Sequence, residues 1–435
     1  MRVAICTLGC KVNQYETQAM ETILTRRGHT LVPFEAEADA YVVNTCAVTA
    51  VSGQKSRQMI RRARQRNPRA IVAVCGCYAQ TDCAAVEKLD ADLIMGTHDR
   101  KGFLDRLEAL AAHRDPTSPT VLVDNPMQRR NFELLPAGGM AGRTRAMLKV
   151  EDGCTNFCTY CIIPYARGPV RSLPLREAAE QAKALAEEGY REIALTGIEL
   201  SSWGRDFSDG SCSLIDLVEA ICSAAPELRV RLGSLEPRTV TEEFCRRAAA
   251  LPNLCPHFHL SLQSGCDSVL KRMGRRYDTD RYRQSVSLLR EWFGPLTGIT
   301  TDVIVGFPGE TETEFSATLA FLEEIAFSKL HVFPYSVRPG TPAARMEGQV
   351  SKAVKEARSR QAGALAVRLE REFLGRLVGE TLPVLFETEK DGVWQGHAPN
   401  YAAVRVSGEN LHNRLCSASI TGVENGVLTG ELTPI

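Results

Sequence analysis

"EDGCTNFCTYC", residues 151–161, holds three cysteines, Cys154, Cys158 and Cys161, at C-x3-C-x2-C spacing. The segment follows an apolar run, "AMLKV", that reads as a strand, so the cysteines fall in the loop at its C-terminal end. Thiolates bind soft metals or iron–sulfur clusters. A structural zinc site normally closes with four ligands, and the next cysteine, Cys212, lies far along the chain in a helical stretch. Three ligands on a four-iron cluster leave one iron open to a small molecule. From these residues alone a zinc site and a chance spacing remain open beside that reading.

Outward from the loop, the chain alternates strands and helices. "AMLKV", "EIALTG", "RVRLGS", "HFHLSL", "TTDVIVG" and "LHVFPYS" read as strands, with helices near 175–188, 213–223, 240–250, 280–292 and 312–325. Six βα units predict a curved parallel sheet, a partial (βα)6 barrel over 143–374, with chemistry at the C-terminal strand ends. Residues 1–113 show the same alternation: "VAIC", "AYVVN" and "AIVAVC" as strands, "NQYETQAMETILTRRG" and "QKSRQMIRRARQ" as helices stopped by Gly28 and Asn67-Pro68. That predicts an N-terminal parallel α/β domain. Residues 114–142 are rich in Pro, Gly and polar residues and read as a linker with at most one short strand. A charged helix at 352–374 leads to short strands and Gly-rich turns over 375–435, the pattern of a small antiparallel β-barrel. The class is α/β.

Formal net charge is zero, so any nucleic-acid signal must be local. "MRVAICTLG" has no signal-peptide character and no run of about 18 apolar residues occurs, which predicts a cytoplasmic protein without membrane contact. Fifteen cysteines in a reducing compartment suggest metal or catalytic use for some. Cys6, Cys212, Cys222, Cys245, Cys255 and Cys416 read as small buried apolar residues.

Cys10, Cys46 and Cys77 lie far apart in sequence, yet each comes just after a predicted parallel strand, in "TLGCKVNQ", "VNTCAVT" and "CGCYAQ". Parallel strands bring their C-terminal ends to one edge, where loops build sites. The topology can therefore collect these thiols, although three unrelated half-buried cysteines fit the pattern as well.

C-x3-C-x-aromatic-C, with Tyr160 as the aromatic, resembles the radical S-adenosylmethionine (SAM) signature, and "CTNFCTYCIIPYARGPVRS" resembles the radical SAM methylthiotransferases. "LTGIELSSWG", "RLGSLEP", "HLSLQSGCDSVLKRMGRRY", "TDVIVGFPGETE" and "YSVRPGTPAA" follow in that family's order. The resemblance implies that Cys154, Cys158 and Cys161 hold a [4Fe-4S] cluster whose open iron chelates SAM. An electron from a donor such as flavodoxin or ferredoxin then cleaves SAM to a 5′-deoxyadenosyl radical. It also implies cofactor contacts from Tyr160, Thr196, Gly197, Glu199, Ser234, Glu236, Gln263 and Ile304. The family's G-C-x-x-N, N-T-C and G-C-x-A-Q contexts occur at Cys10, Cys46 and Cys77, which implies a second, auxiliary [4Fe-4S] cluster there. Cys75 and Cys83 are set aside. The implied product is a methylthio group formed without a protein general base.

"TLGCKVNQYET" and "NTCAVTAVSGQKSRQMIRRA" resemble the branch acting on threonylcarbamoyladenosine 3′ of the anticodon. Branches acting on isopentenyladenosine or on a ribosomal-protein aspartate are the alternatives, and a non-enzymatic iron–sulfur or zinc scaffold for RNA is the reading from another class. Residues 40–81 carry seven Lys or Arg and no acid. With Met59 and Ala63 facing inward, Arg57, Arg61 and Arg64 are expected to face a tRNA anticodon stem-loop. The C-terminal barrel resembles the RNA-binding TRAM module, with Asn400, Tyr401 and Arg405 as a local RNA patch. Yet residues 376–435 hold four basic and seven acidic residues, a sign that suits a basic protein better.

Overall fold

The computed structural model describes residues 1–113, 119–138, 143–208, 210 and 212–433. Strands β1 (Arg2–Thr7), β2 (Thr30–Val32), β3 (Ala40–Thr45), β4 (Ile71–Gly76), β5 (Leu93–Met95) and β6 (Thr120–Leu122) form one sheet in the order β2-β1-β3-β4-β5-β6. Every pairing is parallel. All residues of β3 and β4 are buried, as continuous apolar runs with helices on both faces should be. The stretch expected to be linker therefore gives the sheet its edge strand, β6. The one short strand allowed for in that stretch is these three residues, "TVL". The rest of that expectation, residues 114–118 and 139–142, lies outside the described residues.

The helices α1 (Lys11–Arg26) and α2 (Ala50–Arg66) occupy the expected spans, and α2 starts on a capping box between Thr49 and Ser52. Its rotation differs from expectation. The buried stripe is Gly53, Ser56, Ile60 and Ala63. Arg64 lies on the flank of that stripe and turns inward, donating to the carbonyls of Pro68, Ala70 and Asp90 and to the Asp92 carboxylate at 2.7 Å. It clamps the helix to the sheet, its donors taken by these acceptors. Arg62 takes its place, exposed beside Arg57 and Arg61 in a groove that Gln54, Gln58 and Gln65 complete.

The central unit runs β7 (Arg145–Lys149), β10 (Glu192–Thr196) and β11 (Arg229–Leu232) in one sheet, then β12 (Ser234–Leu235), β13 (His257–Leu260), β14 (Gly298–Val305) and β15 (Lys329–Pro334) in a second. All neighbours are parallel. The third strand breaks at Gly233 into β11 and β12, which splits the expected curved sheet in two. A short antiparallel pair, β8 (Glu151–Asp152) and β9 (Arg171–Ser172), closes the cysteine loop at its base. Leu148, Ile193, Leu195, Val230, Phe258, Leu260 and Val303 pack outward in one core, so the alternate residues line the lumen.

Strands β16 (Thr381–Lys390), β17 (Val393–His397), β18 (Ala403–Ser407), β19 (Leu415–Glu424) and β20 (Val427–Leu432) close into the expected barrel, in the order β16-β17-β18-β20-β19. It plugs the N-terminal end of the lumen. There Glu192, buried, accepts from Arg229 at 2.6 Å and Arg231 at 2.8 Å. The same guanidinium groups donate to the barrel carbonyls of Pro383, His397, Ala398 and Pro399. Tyr401 stacks against His397 and His257, with Arg231 over its ring. Tyr401, half-buried, is engaged in docking the barrel, and Asn400 beside it is buried, donating to the Leu296 carbonyl. Arg405 is exposed elsewhere, bonded to Gln395 and flanked by Glu389, Asp391 and Glu424, so the expected patch of three does not form.

Burial alone would raise the Glu192 carboxyl, but Arg231 and Arg229 hold it down at about 2. Its stabilising contribution is thus complete above its unfolded value, about 4.3, and is lost as pH falls toward 2. Glu192→Ala strands two buried cations and is expected to lower stability by about 3–5 kcal/mol in denaturant titration. The triple variant with Arg229→Met and Arg231→Met should recover most of that loss.

Candidate active site

The cysteine loop is fixed from three sides. Cys154 N–H donates to the Gly168 carbonyl at 3.0 Å, Thr159 N–H to Met273 at 2.9 Å, and the Thr159 carbonyl accepts from Ala343 at 2.8 Å. Tyr160 packs into a small cluster with Val269, Met273 and Phe307, and half-buried Ile304 joins the same cluster. The aromatic of the motif thus props the loop against the strand ends. The Arg275 guanidinium donates to Cys158 Sγ at 3.2 Å and the Asn156 backbone N–H donates to Cys154 Sγ at 3.5 Å. Burial pushes the Cys161 thiol up to about 12 and Cys154 higher still. Thiols buried in this way ionise when a metal supplies the compensating charge.

Beside the loop, Glu199 and Glu236 both accept from the Asn156 amide, at 3.4 and 3.2 Å. Burial, and then the Glu236 charge, raise Glu199 to about 7. Its Oε1 is buried with no partner among the described residues. An unpartnered carboxylate oxygen at the mouth of the lumen fits an α-ammonium group such as that of SAM. Glu236 is already engaged by Arg238 at 2.8 Å and Arg275 at 3.5 Å. Thr196 is buried at the end of β10, and Gly197 follows, its backbone close against Glu151. Ser234 is exposed at the break in the third strand, in register with His259. Gln263 has φ +70° and exchanges backbone hydrogen bonds with Asp302 and Ile304. All eight expected cofactor residues thus sit at the C-terminal strand ends or in the loops following them.

The second triad converges as its topology allows. Cys10 caps α1, Cys46 follows β3 and Cys77 opens a short helix after β4. Gly9 has φ +109°, and a Cβ there would lie 2.9 Å from Cys46 Sγ; Gly76 has φ +98°, and a Cβ there would lie 2.5 Å from the Thr45 carbonyl. Both glycines are demanded twice, by conformation and by close approach. Burial raises Cys77 to about 12, with Cys10 and Cys46 adding to it and Arg167 opposing. Cys75 points to the other face of β4, into a core with Val3, Met20 and Phe103, and Cys83 bonds to Glu87 at 3.4 Å. Among the described residues no three Cys, His, Asp or Glu converge on a single-ion site. A four-iron cluster, whose ligands sit on separate irons, asks for no such convergence. Two all-thiol donor sets fit that group.

Sequence reading missed what lies between the triads. Arg167 is fully buried and donates to Glu16 of α1, to both Asp152 oxygens at 3.2 Å and to Asn13 Oδ1 at 2.7 Å, and its charge opposes the rise of the Cys77 thiol. Lys149 bridges Glu16 at 3.1 Å and Asp152 at 2.7 Å, and Arg100 reaches Glu16 at 2.8 Å. Burial would raise both carboxyls, but these cations hold them well below the usual range. Arg167 and Arg275 stand inside the motifs quoted above, yet nothing local marked them, because their partners come from distant segments.

Gly9→Ala is expected to displace Cys46 and lower iron bound by the N-terminal triad, while iron at Cys154, Cys158 and Cys161 is retained. Iron analysis with Mössbauer or EPR spectroscopy of the reconstituted variant reads both. A full complement in the variant would show that the thiols tolerate the extra methyl group.

Residues 2–96 match the Uncharacterized protein family UPF0004, and residues 148–322 match the Radical SAM superfamily. A threonylcarbamoyladenosine tRNA methylthiotransferase MtaB of Bacillus subtilis is 41% identical over 96% of this chain and 93% of its own. Its namesake in Thermotoga maritima is 38% identical over 95% and 92%. A tRNA-2-methylthio-N(6)-dimethylallyladenosine synthase of Symbiobacterium thermophilum is 34% identical over 99% and 94%. Among solved structures, the radical SAM methyltransferase TsrM of Kitasatospora setae, with cobalamin and a [4Fe-4S] cluster bound, superposes with a TM-score of 0.59. The match is 15% identical and covers 91% of this chain and 80% of that one, a likeness of fold. The paired domains, the cysteine loop at the barrel mouth and these full-length relatives place the chain in the radical SAM methylthiotransferase family, with the [4Fe-4S] cluster and SAM that the radical SAM fold implies.

Proposed function

We propose that this protein installs a methylthio group at C2 of N6-threonylcarbamoyladenosine, 3′ of the anticodon in tRNA, using two [4Fe-4S] clusters. The observation that carries the reading is the pair of cysteine triads, one on each of two domains, with Arg167 bridging Asn13 and Glu16 of the first domain to Asp152 beside the second triad. With both clusters bound, one supplies reductive cleavage of SAM and the other a sulfur donor. Cys154, Cys158 and Cys161 would hold the first, and Cys10, Cys46 and Cys77 the second. Glu199 would orient the ammonium of SAM, Gln263 would contact the cofactor, the stretch around Ile304 would meet its adenine, and Arg275 holds Cys158 in place. The choice of threonylcarbamoyladenosine over dimethylallyladenosine is supported by the higher identity to the relatives named for the former.

Replacing Cys154, Cys158 and Cys161 with Ala should abolish 5′-deoxyadenosine formation. Replacing Cys10, Cys46 and Cys77 should abolish methylthio transfer while SAM cleavage persists. Methylthiolated stem-loop from the second variant would remove the auxiliary cluster from the reaction.

For the RNA, the outer face of α2 offers Arg57, Arg61 and Arg62 in one groove, with Arg57 steadied by the Tyr78 hydroxyl at 3.0 Å. Such a face runs along phosphates. Neutralising all three should flatten the slope of log affinity against log salt by roughly two to three units, taking about 0.9 per contact. SAM cleavage without RNA should not change. An unaltered slope would move RNA binding to another face.

A further inference from the structure

A cavity of about 430 Å³ lies between the start of α1 and the lumen. The proposed chemistry assigns it no role. Lys11 and Gln14 reach it from α1, Arg143, Arg145 and Met147 from β7 and the residues before it, and Tyr401 from the C-terminal barrel. Its volume lies in the range of small-ligand sites, about 300–1,000 Å³. It adjoins the N-terminal triad, because Lys11 is the residue after Cys10.

The cations around it are not equivalent. Arg145 is taken by Glu387 and stands 4.0 Å from Glu192. Arg231, deeper in, is spent on Glu192 and on barrel carbonyls. Lys11 is exposed and has neither an ion pair nor a side-chain hydrogen bond among the described residues. Its charge reaches inward: it is among the groups, after burial, Arg231 and His259, that keep His257 neutral. Met147 and Ala194 give the cavity an apolar wall, and Gln14 an exposed amide. The lining also holds Arg143, exposed and acting on Glu21 of α1, and the carboxylates Glu192 and Glu387, both already on arginines. With those engaged, the Lys11 ammonium, one amide and an apolar wall suit a ligand that is uncharged along most of its length and anionic at its end.

We propose that this cavity receives the N6-threonylcarbamoyl substituent of the substrate adenosine, with Lys11 pairing with its carboxylate and Gln14 with its ureido group. The assignment rests on the substrate reading given above. A carboxylate and a backbone phosphate would both satisfy Lys11, and only the first depends on the substituent.

The test uses the reconstituted full-length enzyme, as wild type, Lys11→Met and Lys11→Arg. Two anticodon stem-loops are compared, one carrying threonylcarbamoyladenosine and one its carboxamide analogue, in which the carboxylate is a neutral amide. Dissociation constants and methylthiolation are measured for each pair. Wild type is expected to prefer the carboxylate by about 10- to 100-fold in affinity. Lys11→Met should lose that preference by weakening only the carboxylate substrate, and Lys11→Arg should keep most of it. Iron content and SAM cleavage without RNA, measured on the same samples, should match wild type and show the clusters intact. Equal weakening of both stem-loops would assign Lys11 to phosphate and overturn the proposal, as would a preference that survives Lys11→Met. A wild-type enzyme that methylthiolates neither stem-loop would instead overturn the substrate reading on which the proposal stands.

Discussion

One buried guanidinium holds the two halves of the site in register. Arg167 leaves the end of the cysteine loop, crosses into the N-terminal domain and meets Asn13, Glu16 and Cys77 there, while still bonded to Asp152 beside its own loop. Asn13 in turn donates to the Leu8 and Thr45 carbonyls, the strand ends that carry Cys10 and Cys46. A charge this deep is tolerated because its planar fork finds an acceptor for nearly every donor. Lysine would offer a point charge and could not span the same set. The network has two acids, Glu16 and Asp152, against four cations, Arg100, Lys149, Arg167 and Arg171. An excess of positive charge beside thiols is the environment that a sulfur-rich, anionic cluster needs.

The other end of the lumen is closed by the same chemistry with the signs exchanged. One acid, Glu192, gathers Arg145, Arg229 and Arg231, and the small barrel completes them with carbonyls and with Glu387. Part of the barrel's acidity is therefore structural. Its net negative charge says less about partners than the count alone suggested, since Glu387 is spent on docking.

Strands and cysteine positions were legible because they are local: period-two runs, a glycine before a thiol, a fixed spacing between ligands. Cys75 was set aside because it lies inside the strand rather than after it, and the structure sends it into an apolar core while Cys77 opens the helix beyond Gly76. Rotation of α2 was harder. Met59 and Ala63 describe a plausible inward face, but Ile60 with Ala63 is the one buried, and that small turn moves Arg64 from solvent to Asp92. Tyr401 looked like an RNA contact because an exposed-looking turn, "PNY", carries no sign of the histidines that pack on it, His257 from the second domain and His397 from its own barrel. Arg167, Glu16 and Asp152 were invisible for the same reason: a buried ion network is a property of the assembled surface, not of any segment.

The length of chain between latch partners gives the latch a place in time. Glu16 waits for Lys149, 133 residues on, and for Arg167, 151 residues on, both in the second domain. Contacts of such separation form late, after each domain has collapsed around its own core. Until then Cys10, Cys46 and Cys77 stand at an open sheet edge, and Glu16 has Arg100 of its own domain as its ion-pair partner. Ribosomal synthesis completes the N-terminal sheet before the cysteine loop exists, so the interval is built into the order of the sequence. On the proposed reading, that interval is when a four-iron cluster reaches the N-terminal thiols without unburying charge; once Arg167 has joined Glu16 and Asp152, exchange of iron there must first reopen a buried ion network.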